Sequence, residues 1–284
     1  MTRRFTQADV FTAVPLLGNP VAVVHDAQGL SDDQMAAVAR WTNLSETTFL
    51  LPPEDPSADY RVRIFTPGGE LPFAGHPTLG TAHAWLEAGG RPRGGEVLLQ
   101  ECGVGLVEVR LGDRPAFAAP PLRRSGPLTE QELSQVVSVA GVRPDDVVGA
   151  AWVDNGPGWV ALELETVADV LAAEPQAAER SGLSWGLVAR YADDDPARDG
   201  RDVEVRGFFD GGSTWFEDPV TGSLNAGIAQ WLIGEDRLPD SYVAGQGQCL
   251  QRDGRVHVEQ VDERIWIGGD VVTVVRGEVD LDGS

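Results

Sequence analysis

The sequence predicts an α/β (α+β) protein made of two similar halves, each a curved, mainly antiparallel sheet wrapped around one central helix. Three observations carry this. Short β-rich runs outnumber helical ones. Motifs of the front half return in the back half in the same order. Each copy of the pattern holds one apolar, helix-like stretch that opens on an X-Pro step.

The β-rich runs are residues 21–24, 48–51, 61–65, 96–99, 105–109, 153–164, 202–208, 255–258, 265–267 and 271–275. Several alternate or are rich in Val and Ile, with Gly and Pro between them. Ser31-Asp-Asp-Gln34 is a capping box that opens a helix with Met35, Val38 and Ala39 inward. Thr129-Glu-Gln-Glu132 opens another before Leu133, Val136 and Val137, and Thr166-Val-Ala-Asp169 is a looser version. Two further helices are expected after His76-Pro77 and Asp218-Pro219, stopped by Gly89-Gly90 and Gly234. The Gly- and Pro-rich stretch 114–127 is the expected domain boundary, and 193–200 reads as a surface loop.

The echo between the halves has five parts. Asn19-Pro20 is matched by Asn155-Gly156 at a separation of 136 (155 − 19), Ser31 by Thr166 at 135, and Leu44-Ser45 by Leu183-Ser184 at 139. Arg63-Ile-Phe65-Thr-Pro-Gly68-Gly69 is matched by Arg206-Gly-Phe208-Phe-Asp-Gly211-Gly212 at 143. With one residue dropped, His76-Pro77-Thr-Leu-Gly80-Thr81 then matches Asp218-Pro219-Val-Thr-Gly222-Ser223 at 142. The halves differ where chemistry is expected. On this alignment Glu46 falls on Trp185 and His76 on Asp218. Unpaired amides at the two helix starts would attract an anion such as a substrate carboxylate.

Composition excludes several classes. Of 284 residues, 44 are acids and 22 are bases, a formal charge of −22, which repels nucleic acid and anionic lipid. Every base is Arg, so neither a Schiff-base lysine nor the common phosphate-binding loop is present. The two cysteines, Cys102 and Cys249, stand far apart, which leaves no CxxC-type zinc pattern. No run of 18 apolar residues and no signal-like start is seen, so a cytoplasmic protein without a membrane span is expected.

With these features in place, Asp9-Val-Phe11, Gly18-Asn19-Pro20-Val-Ala-Val, Asn43-Leu-Ser-Glu46-Thr-Thr-Phe49, Arg63-Ile-Phe-Thr-Pro67, Glu70-Leu-Pro-Phe-Ala-Gly75-His76-Pro77-Thr-Leu-Gly80-Thr81 and Glu217-Asp218-Pro219-Val-Thr221-Gly222-Ser223 together resemble the PhzF (phenazine biosynthesis) family. The resemblance implies a diaminopimelate-epimerase-like fold with the active site between two similar halves. It implies residues 1–118 as the half with Glu46 and His76, residues 119–284 as the half with Asp218, and a last strand near 265–284 that returns to the first half. It also implies cofactor-free proton transfer with no metal, on a small carboxylate-bearing substrate, as in the isomerisation of trans-2,3-dihydro-3-hydroxyanthranilate, and a homodimer. Glu46 would be the acid/base, with His76 and Asp218 as its catalytic partners. Gly75, Thr221, Gly222 and Ser223 would bind substrate. Asp210, Leu224 and Asn225 depart from the family's usual residues, so the pocket's preference is open.

Each residue also has a plainer reading. Glu46 sits between Leu44 and an apolar strand, where partial desolvation would tune a carboxyl for proton transfer, but most Glu residues are simply solvated. His76 and Asp218 would serve equally as helix caps. Arg61 and Arg63 would either grip a carboxylate or line the solvent side. Cys102 and Cys249, and Trp41, Trp85 and Trp231, read as packing residues. His25 and His257 read as surface or packing residues, and His83 as a poor metal partner for His76. Two rival functions stay open: an amino-acid or hydroxy-acid epimerase or racemase, and a non-catalytic small-molecule binding protein.

Overall fold

A computed structural model describes residues 2–176, 181–210 and 215–281. The chain divides into two compact units, Met1–Ala118 with Gly268–Ser284, and Ala119–Ile267.

The first unit holds β1 (Thr2–Val10), β2 (Asn19–Val24), α1 (Asp32–Thr42), β3 (Glu46–Leu51), β4 (Tyr60–Thr66), β5 (Gly69–Leu71), α2 (Gly75–Glu87), β6 (Val97–Cys102), β7 (Gly105–Arg110) and β8 (Ala116–Ala118). The chain's last strand, β18 (Val271–Asp280), pairs antiparallel with β1. From β1 the pairing runs antiparallel to β2, parallel to β3 and antiparallel to β4. Strand β4 then carries the short β5 antiparallel and β6 parallel, and β6–β7–β8 close the series antiparallel.

Helix α2 is the centre of this unit. Residues 75–82 are buried without interruption. A helix covered on all sides must be made of small or apolar residues and must satisfy its hydroxyls internally. Thr78 Oγ1 donates to the Ala74 carbonyl at 2.9 Å, and Thr81 Oγ1 donates to Thr48 Oγ1 at 2.8 Å. Gly80 lets the helix lie against β1 and β2, since a Cβ there would collide with Val21 and press on Val10.

The second unit holds β9 (Arg124–Gly126), α3 (Glu130–Ala140), β10 (Val147–Asp154), β11 (Trp159–Leu164), α4 (Val167–Ala172), β12 (Ser184–Arg190), β13 (Val203–Asp210), β14 (Trp215–Asp218), α5 (Gly222–Gly234), β15 (Ser241–Gln246), β16 (Gly254–Val261) and β17 (Arg264–Gly268). Strand β9 pairs with β10. Beyond that pair, β10–β11 is antiparallel, β11–β12 parallel and β12–β13 antiparallel. Strand β13 then carries β14 antiparallel and β15 parallel, and β16 follows antiparallel. This is the series of the first unit from β1 to β7. Helix α5 is buried like α2, and it approaches β10 so closely that a Cβ on Gly227 would strike the Val153 carbonyl oxygen.

Strand register corrects the alignment between the halves. Phe65 pairs with Glu70 across the β4–β5 hairpin, and Phe208 pairs with Glu217 across β13–β14. The first members are 143 apart (208 − 65) and the second 147 (217 − 70), so the second hairpin is four residues longer. Helices α2 and α5 start 147 apart (222 − 75). His76 therefore corresponds to Ser223, and Asp218 corresponds to Leu71 rather than to His76. Strand β3 slips likewise. Thr47 pairs with Phe65 and Trp185 with Phe208, which sets Glu46 opposite Ser184 in the comparison rather than Trp185. The expected Gly211-Gly212 match lies outside the described residues. The expected run 153–164 is the end of β10, a turn and β11.

Replacing Gly227 by Ala is expected to destabilise the protein by about 2 kcal/mol, because the obstacle is backbone and cannot rotate away. A urea titration should show a lower midpoint with an unchanged slope.

Candidate active site

The helix starts divide into two kinds. Helices α1 and α3 begin with complete capping boxes, Ser31 with Gln34 and Thr129 with Glu132, and carry acids in the first turn. Helices α2 and α5 have Ala74 and Thr221 at the cap position, no side-chain cap bond and no acid in the first turn. The amides of Gly75 and His76, and those of Gly222, Ser223 and Leu224, thus head buried helices whose cap residues make no side-chain bond to them. The positive end of the helix dipole adds to their pull on an anion.

Glu46 is the first residue of β3 and lies opposite Val21 in the parallel β2–β3 pair. Its Oε2 is 3.2 Å from His76 Nε2, with the side chains 14% and 6% exposed. Oε2 itself is fully buried, so the exposure that Glu46 keeps lies on its other atoms. His76, the second residue of α2, also donates to the Pro20 carbonyl on β2. Burial lowers the imidazole from its ordinary 6.5 to about 3, against the opposing pull of that hydrogen bond, so the ring is neutral at pH 7. The Pro20 acceptor places the ring proton on Nδ1, which leaves the Nε2 lone pair facing Glu46.

Asp218 ends β14 and is buried, and its Oδ2 accepts from Thr221 Oγ1 at 2.7 Å. It does not cap α5: Thr221 holds the cap position, and α5 starts four residues later than Asp218. Nor is His76 a cap, since Ala74 is. Ser223 Oγ accepts from Trp159 Nε1 at 3.0 Å, and its carbonyl accepts from Asn155 Nδ2 at 2.8 Å. Asn155, Trp159 and Gln246 escaped the sequence reading. Only Asn155 had a signal, its echo of Asn19. Among the described residues no cluster of three His, Cys, Asp or Glu is placed to hold a metal ion.

The remaining candidates take structural places. Arg63 grips Glu70 through Nε and a terminal nitrogen at 2.7 and 2.6 Å and reaches Asp32 at 2.6 Å, and Arg61 pairs with Glu54. Arg206 repeats the two-point grip on Glu217, at 2.9 Å for each bond. These arginines are clips on the hairpins. Cys102 ends β6, but Cys249 is exposed in a short 3-10 turn, so it is not a packing residue. Trp41 is 77% exposed, which also corrects a packing reading, whereas Trp231 is buried and Trp85 packs on Tyr60. His25 is buried against Thr6, and His83 bonds Thr273 rather than His76.

Known proteins resemble this chain in sequence and fold. The family described as phenazine biosynthesis-like protein matches residues 8–277. An uncharacterized isomerase of Mesorhizobium japonicum is 32% identical over 98% of this chain and 99% of its own. The trans-2,3-dihydro-3-hydroxyanthranilate isomerase of Pseudomonas aeruginosa is 38% identical over 61% of each chain. The crystal structure of the Bacillus anthracis PhzF-family protein superposes with a TM-score of 0.80 at 25% identity, covering 98% of this chain and 99% of that one. Relatives and fold place the chain among the isomerases. It belongs to the PhzC-PhzF family of phenazine biosynthesis-like proteins. No helix among the described residues is long and apolar enough to cross a membrane.

His76 makes stability depend on pH. The folded ring stays neutral down to about 3, whereas the unfolded ring takes up a proton near 6.5. Between these values the unfolded chain binds the extra proton, so stability falls as pH drops through the window and is complete above it. Urea midpoints measured across this range should fall more steeply for the native chain than for His76→Asn. The difference is expected to be on the order of 3 kcal/mol.

Proposed function

We propose that the protein is a cofactor-independent isomerase that moves a proton on a small carboxylate-bearing substrate, in the manner of trans-2,3-dihydro-3-hydroxyanthranilate isomerase. The buried Glu46–His76 pair at the start of α2 is the observation that supports it most directly. Glu46 takes a proton from an activated carbon and returns it to another carbon on the same face. One carboxyl is enough for such a shift, whereas inversion at a single carbon calls for two bases. The neutral His76 ring, with Nε2 facing the carboxyl, accepts a hydrogen bond from Glu46 once Glu46 has taken up the substrate proton, so the carboxyl serves as base in one step and acid in the next. In the first unit the amides at Gly75–His76 would receive the substrate carboxylate; in the second, Gly222, Ser223 and Asp218 with Thr221 are the groups proposed to bind and orient substrate.

The recurrence of one strand series in both units supports reading the chain as an internal duplication whose copies have diverged. Only the first copy kept a Glu–His pair: the corresponding residues of the second are Ser184 and Ser223.

Proton NMR in heavy water tests the assignment, with trans-2,3-dihydro-3-hydroxyanthranilate and a panel of α-amino and hydroxy acids as substrates. Deuterium should enter the accepting carbon of a turned-over substrate, and Glu46→Gln should slow this by about 10²–10⁴-fold. Full turnover by Glu46→Gln would overturn the role of Glu46. Exchange confined to the α-proton of an amino acid would favour an epimerase instead.

A further inference from the structure

The carboxylate of Asp218 is held by a relay whose direction is set on another strand. Thr221 Oγ1 donates its proton to Asp218 Oδ2 at 2.7 Å. The same oxygen accepts from Gln246 Nε2 at 2.9 Å. A hydroxyl has a single proton, and its orientation follows whichever neighbour can only donate to it. The amide hydrogen of Gln246 occupies a lone pair of Oγ1 and leaves the hydroxyl proton to point at Asp218.

Gln246 is itself fixed at both ends. It closes β15, is 1% exposed, and its Oε1 accepts from the Thr221 backbone amide and from Asn225 Nδ2, each at 3.0 Å. Its second amide hydrogen goes to the Asp218 carbonyl at 3.1 Å. Turning the amide over would set its NH2 against two donors and its oxygen against a carbonyl. Asn225, 0% exposed, is in turn tied to the Thr221 carbonyl at 2.9 Å. Every hydrogen-bonding place on the Gln246 side chain is used, and all four bonds serve the segment from Asp218 to Asn225.

We propose that Gln246 is the positioning residue of Asp218: its amide turns the Thr221 hydroxyl proton onto the carboxyl group and so keeps Asp218 an aligned acceptor for the substrate's amine or hydroxyl. The proposal rests on the reading of Asp218 as a substrate-orienting group. It adds a residue 28 positions away (246 − 218) that never touches substrate. Thr221, Asn225 and Gln246 carry no titratable group, so a change in the titration of Asp218 after altering one of them reports the relay's own hydrogen bonds.

The test is a carbon-13 NMR titration of the Asp218 carboxyl, identified by its loss in Asp218→Asn, in the native protein and in the variants Gln246→Met, Thr221→Val and both together. Without the relay's donor the carboxylate is easier to protonate. The midpoint should rise by about one pH unit in each single variant. The double variant should rise no further than either, because both changes remove the same bond. Gln246→Leu, likewise uncharged, guards against a packing defect peculiar to Gln246→Met and should raise the midpoint as far. An unmoved midpoint in both folded Gln246 variants, or a double variant whose rise is the sum of the two single ones, overturns the proposal. The reading of Asp218 fails by a different measurement: Asp218→Asn would then turn over the substrate panel at the native rate while the titrations still showed the relay.

Discussion

Burying a carboxyl against an imidazole beside a helix start is the constraint on which the site depends. An ionised group removed from water costs several kcal/mol even after relaxation, and an ion pair recovers this only with excellent geometry and further hydrogen bonds. A neutral imidazole beside the carboxyl adds no second buried charge. The Glu46–His76 contact is held at 3.2 Å, with the outer ring nitrogen anchored on Pro20.

That arrangement explains the character of α2 and α5. Surface helices here use a capping box, a device worth about 1 kcal/mol. The two central helices forgo it. Their stability comes from burial on all sides, which in turn demands Gly80 and Gly227 where a strand passes close and threonine hydroxyls that find partners inside the unit. Starts without a capping side chain are tolerated because tertiary packing holds each helix in place.

The comparison between sequence and structure is instructive where it fails. The Arg63 and Arg206 motifs were visible, and so was the drift in spacing, but the alignment dropped one residue where the second hairpin in fact adds four. Asp218-Pro219 carries every local mark of a helix start, yet the chain continues to Thr221 before turning helical. A one-residue slip likewise set Trp185 against Glu46. Such slips are hard to see because hairpin loops have no periodicity, whereas in a sheet a single step moves every side chain to the other face. The exposed Trp41 and Cys249 were misjudged for a related reason: residue type reports the average fate, and only neighbouring elements decide the individual one.

Local order and chemical inventory were already written in the residues: the capping boxes of α1 and α3, the strand-rich pattern, an all-arginine set of bases, and one glutamate and one histidine in motifs that mark a proton-transfer family. The partners of those groups were not. His76 takes its tautomer from the carbonyl of Pro20, and the segment after Asp218 is braced by Gln246. Both partners lie on strands far away in the chain. Propensity, capping and periodicity act over a few residues, whereas a buried polar group must find its hydrogen bond wherever strand pairing happens to bring one, so the tautomer of His76 and the alignment of Asp218 were each settled only when the sheet of its own unit closed around its helix.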